Sequence, residues 1–163
     1  MATSIKNLSK YDKKNLSNGA DYKIGIVVSE WNEAITNKLM KGAIDTFKEN
    51  GVSEKNMSIE SVPGAFELPM GAQTLLESQK LDGVITIGTV IQGETKHFDY
   101  VCSGATQGIM TVMLNYNTPI SFCVLTDNNM QQSIDRAGGK HGNKGIECAV
   151  SLLKMIQLQR SLK

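Results

Sequence analysis

The strongest constraint on this chain is a repeated switch of hydrophobic period. Short β-branched runs, apolar at nearly every position, alternate with longer stretches in which apolar residues recur every three or four positions. KIGIVVS at residues 23–29 is the first run, continuous enough for a strand buried on both faces. Asn32 then offers an N-cap. Ile35, Leu39, Ala43 and Phe47 form one apolar helical stripe, with Met40 and Ile44 beside it, and Gly51 supplies the stop. The alternation continues with a strand at Met57–Val62, a turn at Pro63 and Gly64, and a helix over 65–78. GVITIGT (83–89) and PISFCVLT (119–126) read as strands, with a polar loop and a helix over 96–115 between them. A short helix near 130–136, a glycine-rich hinge and a helix over 143–160 close the pattern.

Strands that alternate with helices of this length need crossover connections. The expected architecture is therefore α/β, a layered sandwich with a mostly parallel sheet and helices on both faces. No repeat or linker interrupts residues 22–160, so an N-terminal arm (1–21) followed by one domain (22–163) is expected. The arm carries Lys6, Lys10, Lys13 and Lys14 without an apolar segment or arginine, and it includes Asp12. That composition suits neither a secretory signal nor a transit peptide.

Composition narrows the function. Apolar residues make up 40% and charged residues 20%, enough for a core and too balanced for disorder. Seventeen Lys and Arg against sixteen Asp and Glu leave no basic excess for phosphate backbones, so no nucleic-acid partner is expected. No apolar run approaches the roughly 18 residues of a membrane span. Cys102, Cys123 and Cys148 are odd in number, widely separated and set in apolar surroundings. They read as small buried hydrophobes and suit a reducing cytoplasm rather than a disulfide framework or a zinc site.

In open parallel sheets ligands bind beyond the carboxyl ends of the strands, so the residues there are the ones to inspect. Trp31 follows the first strand, either as a staple on its own helix or as a flat stacking surface for a heteroaromatic ligand. Glu67 follows Phe66 after the Pro63-Gly64 turn, as a helix-dipole partner or as an acceptor for ligand N–H or hydroxyl groups. In GTVIQGETKHFDY, Gly88 and Gly93 would let a ligand approach the backbone, and Thr95 stands where helix N–H groups could receive an anion. His97 lies in that first turn, and histidine is the side chain whose ordinary titration suits proton transfer near neutrality. The cluster RAGGKHGNKG (136–145) interleaves glycines with Arg136, Lys140, His141 and Lys144, as a phosphate cradle or as a solvated hinge. His141 is assigned a structural role. Neither a Walker A pattern nor G-x-S-x-G occurs, and no His, Asp and Glu spacing suggests a metal.

Four of these strings, KIGIVVSEWNEAIT, VPGAFELP, ITIGTVIQGETKHFDYV and DRAGGKHGNKGIECAVS, together resemble the lumazine synthase family of riboflavin biosynthesis. The resemblance runs in order from about residue 23 to residue 160. It implies a four-stranded parallel sheet with two helices on each face, of flavodoxin-like topology. It also implies condensation of 5-amino-6-(D-ribitylamino)uracil with 3,4-dihydroxy-2-butanone 4-phosphate, with phosphate and water leaving and no cofactor or metal required. By that resemblance Trp31 stacks on the pyrimidine, and Ala65, Phe66 and Glu67 hold the ribityl chain and ring edge. Thr89, Val90 and Ile91 line the ring, Gly93, Glu94 and Thr95 form the phosphate-binding turn, and His97 is the proton donor. Phe122 and Arg136 reach the site from the adjacent subunit, Arg136 onto the phosphate, and Lys144 is a further basic residue nearby. The family assembles as pentamers, sometimes packed twelvefold into an icosahedral shell, with the short GGKHGNKG segment resembling shell-forming members. The arm would pair along a neighbour's sheet edge. Many members carry phenylalanine where Trp31 stands, so riboflavin binding on the larger indole is expected here, and Gln92 replaces an arginine of some members. Two rival readings are a non-catalytic flavin-binding module and a riboflavin synthase of the related pentameric type.

Overall fold

The computed structural model describes residues 11, 12 and 16–162. Four parallel strands, β1 (Ile24–Ser29), β2 (Met57–Val62), β3 (Gly83–Ile91) and β4 (Ile120–Asp127), pair in the order β2-β1-β3-β4. The helices are α1 (Glu33–Glu49), α2 (Leu68–Ser78), α3 (His97–Asn115), α4 (Met130–Arg136) and α5 (Lys144–Ser161). A small antiparallel hairpin, β5 (Ala137–Gly139) and β6 (Gly142–Asn143), joins α4 to α5.

Every residue of β1 is buried, as the unbroken apolar run requires of a central parallel strand. Its side chains alternate between two cores. Ile24, Ile26 and Val28 pack with Leu39 and Phe47 of α1 and Leu152 and Leu153 of α5. Val27 faces Leu68 and Ala72 of α2 and Ile109 of α3 across the sheet. Each such fully buried aliphatic chain contributes about 1.5–3 kcal/mol, so the apolar period holds helices to both faces. The chain goes from β1 outward to β2, then returns to β3 on β1's other side. The carboxyl ends of β1 and β3 therefore form the point where strand order reverses, the natural ligand crevice of an open sheet.

Several local expectations are corrected. The helix expected over 65–78 divides into a 3-10 turn, Ala65–Glu67, and α2. Strand β3 continues to Ile91, two residues beyond the apolar run, because Val90 and Ile91 still pair with Thr126 and Asp127 of β4. Asn32 does not cap α1 through its side chain. It lies in the left-handed region (φ 59°, ψ 45°), which asparagine tolerates, and its main-chain oxygen accepts from the N–H groups of Ile35 and Thr36. The glycine-rich segment is a packed hairpin rather than a flexible hinge. Gly138 and Gly142 hold positive φ, and a Cβ on Gly145 would stand 1.9 Å from the Leu39 carbonyl oxygen. Asn143 locks this crossing: its Oδ1 accepts from the Gly145 N–H at 2.8 Å, while its amide donates to the Lys38 carbonyl at 2.9 Å.

The expected arm is tied to the body along its described part. The Gly19 N–H donates to the Asn50 carbonyl at 2.8 Å, and the Asn50 amide donates to the Tyr11 hydroxyl at 2.7 Å. Arg160 lies 4.4 Å over the buried Tyr22 ring and pairs with Asp21 and Asp82. The remainder of the arm, with its expected pairing to a neighbour, lies outside the described residues. Among those described, no helix is long and apolar enough to cross a membrane.

Candidate functional site

The first cleft occupies the carboxyl ends of β1 and β3 and has a volume of about 710 Å³. It is lined by Trp31, Ala65, Phe66, Glu67, Thr89, Val90, Ile91 and His97 from the expected set, joined by Asn32, Gly64, Tyr100 and Val101. Trp31 is 72% exposed, which rules out a staple buried on its own helix. The turn presenting it is fixed by main-chain bonds from Glu30 to the Val62 carbonyl and from Trp31 to the Pro63 carbonyl. The left-handed Asn32 then turns the chain into α1, leaving the indole at the rim. A Cβ on Gly64 would lie 3.0 Å from Glu67 Oε2 and 3.5 Å from Trp31 Cδ1. Glycine there leaves room for carboxylate and indole to converge.

Phe66 is held from behind. A Cβ on Gly104 would come within 2.6 Å of its ring, and one on Gly108 within 2.6 Å of Pro69. These glycines, one helical turn apart, form a groove on α3 that admits Phe66 and the start of α2 at Pro69. His97 opens α3 and is exposed. Tyr100 and Val101 were not picked out from the sequence. Their spacing of three and four from His97 places them on its face of the helix, and that was the signal available.

The second cleft, about 580 Å³, runs along the edge strand β4. Phe122, Arg136 and Lys144 line it, with Val124, Leu125, Thr126, Asp127, Gln132, Asp135 and His141. Arg136 is half-buried, and its guanidinium has no ion-pair partner among the described residues. Lys144 is paired to Glu147 at 2.9 Å. The two linings share no residue. Within one chain the fold thus separates Trp31 and His97 from Phe122, Arg136 and Lys144.

Gly93, Glu94 and Thr95 lie in the exposed turn between β3 and α3 and belong to neither lining. Gly93 has open space about its absent Cβ, consistent with close approach from outside. Thr95 Oγ1 accepts from the His97 N–H at 3.3 Å, so one of the donors expected to face an anion is already occupied. Gly88 serves packing rather than a ligand: a Cβ there would meet Leu68, Ser29 and Ala65 at 3.0–3.4 Å. His141 stands exposed at the hairpin and lines the second cleft, although the sequence suggested only a structural role.

The three cysteines are free thiols and belong to neither lining. Burial and the Asp99 carboxylate push the Cys102 thiol up, and the Cys148 hydrogen bond with burial holds Cys123 well above its ordinary range. Thiols kept protonated, as these two are, are poor nucleophiles, while the hydrogen bond with Cys123 lowers the buried Cys148 thiol. Among the described residues no group of three His, Cys, Asp or Glu could hold a metal ion.

A family model described as 6,7-dimethyl-8-ribityllumazine synthase matches residues 21–160. A relative of that name from Christiangramia forsetii is 52% identical, over all of this chain and 98% of its own. One from Flavobacterium johnsoniae is 53% identical over 98% of this chain and 84% of its own. A more distant one, from Lactiplantibacillus plantarum, is 49% identical over 89% of this chain and 91% of its own.

Proposed function

The chain belongs to the 6,7-dimethyl-8-ribityllumazine synthase family, and from that premise we propose that its two clefts are the halves of one active site, joined where two copies meet. The protein is an enzyme, a transferase of riboflavin biosynthesis that forms 6,7-dimethyl-8-ribityllumazine. The substrates of this reading are 5-amino-6-(D-ribitylamino)uracil and 3,4-dihydroxy-2-butanone 4-phosphate. The observation that carries the two-halves reading is the unpaired, half-buried Arg136, which lies in a cleft without the indole and without His97.

In this arrangement Trp31 stacks on the pyrimidine while Glu67 and the main chain at Ala65 and Phe66 hold its edge and the ribityl chain. Thr89, Val90 and Ile91 floor the ring. The phosphate lies between the Gly93-Glu94-Thr95 turn and Arg136 of the adjacent copy, with that copy's Phe122 and Lys144 beside it. A guanidinium and main-chain donors stabilise the charge that departs with phosphate. The uracil amine attacks the ketone to give a carbinolamine and then an imine with loss of water. His97 carries protons in these steps. Much of the acceleration comes from holding two substrates in register.

The same reading takes residues 22–163 as one domain, supported by two cores packed on a single sheet. The copies form a pentamer that packs into an icosahedral 60-mer, a reading supported by the tight β5–β6 hairpin with only Lys140 and His141 at its tip. The three free thiols fit a cytoplasmic location. Riboflavin binds at Trp31 and quenches its fluorescence on titration.

The test mixes protein with both substrates and follows lumazine absorbance together with phosphate release, for the parent and for Trp31→Ala and Arg136→Ala chains dissociated and reassembled together. Matched product and phosphate, with activity recovered in the mixed assembly, is the expected result. Recovery arises because some interfaces join an intact first cleft to an intact second one. A mixed assembly no more active than either variant alone overturns the two-halves reading.

A further inference from the structure

A buried polar chain connects the strand beneath the first cleft to the helix beneath the second. Thr89 Oγ1 and Ser133 Oγ lie 3.2 Å apart, and Ser133 Oγ donates to Asp127 Oδ2 at 2.7 Å. Thr89, Ser133 and Asp127 are 3%, 0% and 8% exposed. A carboxylate only accepts, and a serine hydroxyl has one proton. Once Ser133 gives that proton to Asp127, Thr89 must donate to Ser133. The donation runs Thr89 to Ser133 to Asp127, so the Thr89 hydroxyl is committed inward and the residue serves the cleft through its main chain.

Ser133 sits on α4, a helix of seven residues that cannot hold its own position. Its cap, Asn129 Oδ1 accepting from the Gln132 N–H at 3.1 Å, and the Asn128 N–H donating to Gln132 Oε1 at 2.8 Å are internal to the helix and its entry. Ser133 is the one residue of α4 that is fully buried, so its two hydroxyl bonds are the polar link from helix to sheet. The β4 end of the link is itself bound to β3: Ile91 pairs with Asp127, and the Gln92 N–H donates to the Asp127 carbonyl at 2.9 Å. Arg136 follows Ser133 by one helical turn and ends the helix.

We propose that Ser133 and Asp127 are positioning residues that hold α4 in register with β3 and so aim the Arg136 guanidinium at the substrate phosphate. This rests on Arg136 being the phosphate partner. The test is steady-state kinetics of the assembled enzyme with each substrate varied. Ser133→Ala is expected to raise KM for the butanone phosphate about tenfold, with kcat and the pyrimidine KM within about twofold. Asp127→Ala removes the acceptor for the Ser133 hydroxyl and raises the same KM by about the same factor, and the two changes together add no more than about twofold to either alone. In an Arg136→Ala background, Ser133→Ala adds no more than about twofold, because it acts through Arg136.

A folded Ser133→Ala enzyme with parental KM overturns the proposal. So does an equal effect on all three constants, or a full further tenfold in the Arg136→Ala background. An Arg136→Ala enzyme with unchanged KM refutes the phosphate reading itself, and the proposal falls with it. Folding is checked by thermal unfolding and assembly mass. If Ser133→Ala does not assemble, Ser133→Cys keeps the side-chain shape with a slightly larger atom, weakens both bonds and carries the same test.

Discussion

The two clefts are built on opposite plans. The first is assembled from the turns that follow β1 and β2, the end of β3 and the first turn of α3, so most of its residues are neighbours in sequence as well as in space. It is dominated by aromatic and aliphatic groups, with Trp31 and Tyr100 each 72% exposed at its rim. The second draws on the edge strand β4, the end of α4 and the start of α5, and it is lined mainly by polar and charged groups. A cleft at the switch point of a sheet can bind a flat ring using its own strands. A cleft on an edge strand opens sideways, toward whatever covers that edge. The side chains divide the same way, with the indole and the imidazole in one cleft and the spare cation in the other.

The comparison can be broken most forcefully at the base of the second cleft. Gly145→Ala drives a methyl group into the Leu39 carbonyl and separates α5 from α1. We expect a loss of about 3 kcal/mol, lowering Tm by roughly 6–12 °C in a thermal scan. A Tm within about 2 °C of the parent would mean that the hairpin moves independently of the core.

Arg136→Ala comes next, costing about 2 kcal/mol of charge-assisted binding, roughly thirtyfold in KM for the phosphate substrate with kcat retained. An unchanged KM would leave the second cleft without a role in binding phosphate. Trp31→Ala sharpens the contrast, because it should raise KM for the pyrimidine about tenfold, through loss of about 1.5 kcal/mol of stacking, and leave the phosphate KM alone. Equal changes in both would erase the division between the clefts. His97→Ala comes last, and its effect falls on kcat. The exposed imidazole can be replaced by water, so turnover slows about tenfold rather than the hundredfold or more available to acid–base catalysis. Collapse to the uncatalysed rate would show that His97 does more than carry protons.

Much of the first cleft was legible before any coordinates. Trp31, Glu67 and His97 each follow an apolar run whose period marks a buried parallel strand, and the rule placing ligands at strand ends then brings them together. Tyr100 was missed although its helical spacing from His97 was available. The end of β3 was placed two residues early because Val90 and Ile91 are held by pairing with β4, and pairing leaves no mark in a local period. The glycines of 136–145 were misread for a related reason. Gly145 answers to the carbonyl of Leu39, more than a hundred residues away, and a glycine needed for a distant contact looks in sequence like one needed for flexibility.

The alternation of periods was enough to specify a parallel sheet covered on both faces, because hydrophobic burial acts residue by residue along each element. Its strand-end motifs were enough to indicate where the first cleft lies. The tertiary structure alone decided that the residues form two clefts, that the Thr89 hydroxyl turns inward, and that α4 is tied to β3 through Ser133 and Asp127. Those outcomes depend on which strands become edges and on hydrogen bonds between segments distant in the chain. Such relations exist only once the layers have closed on one another.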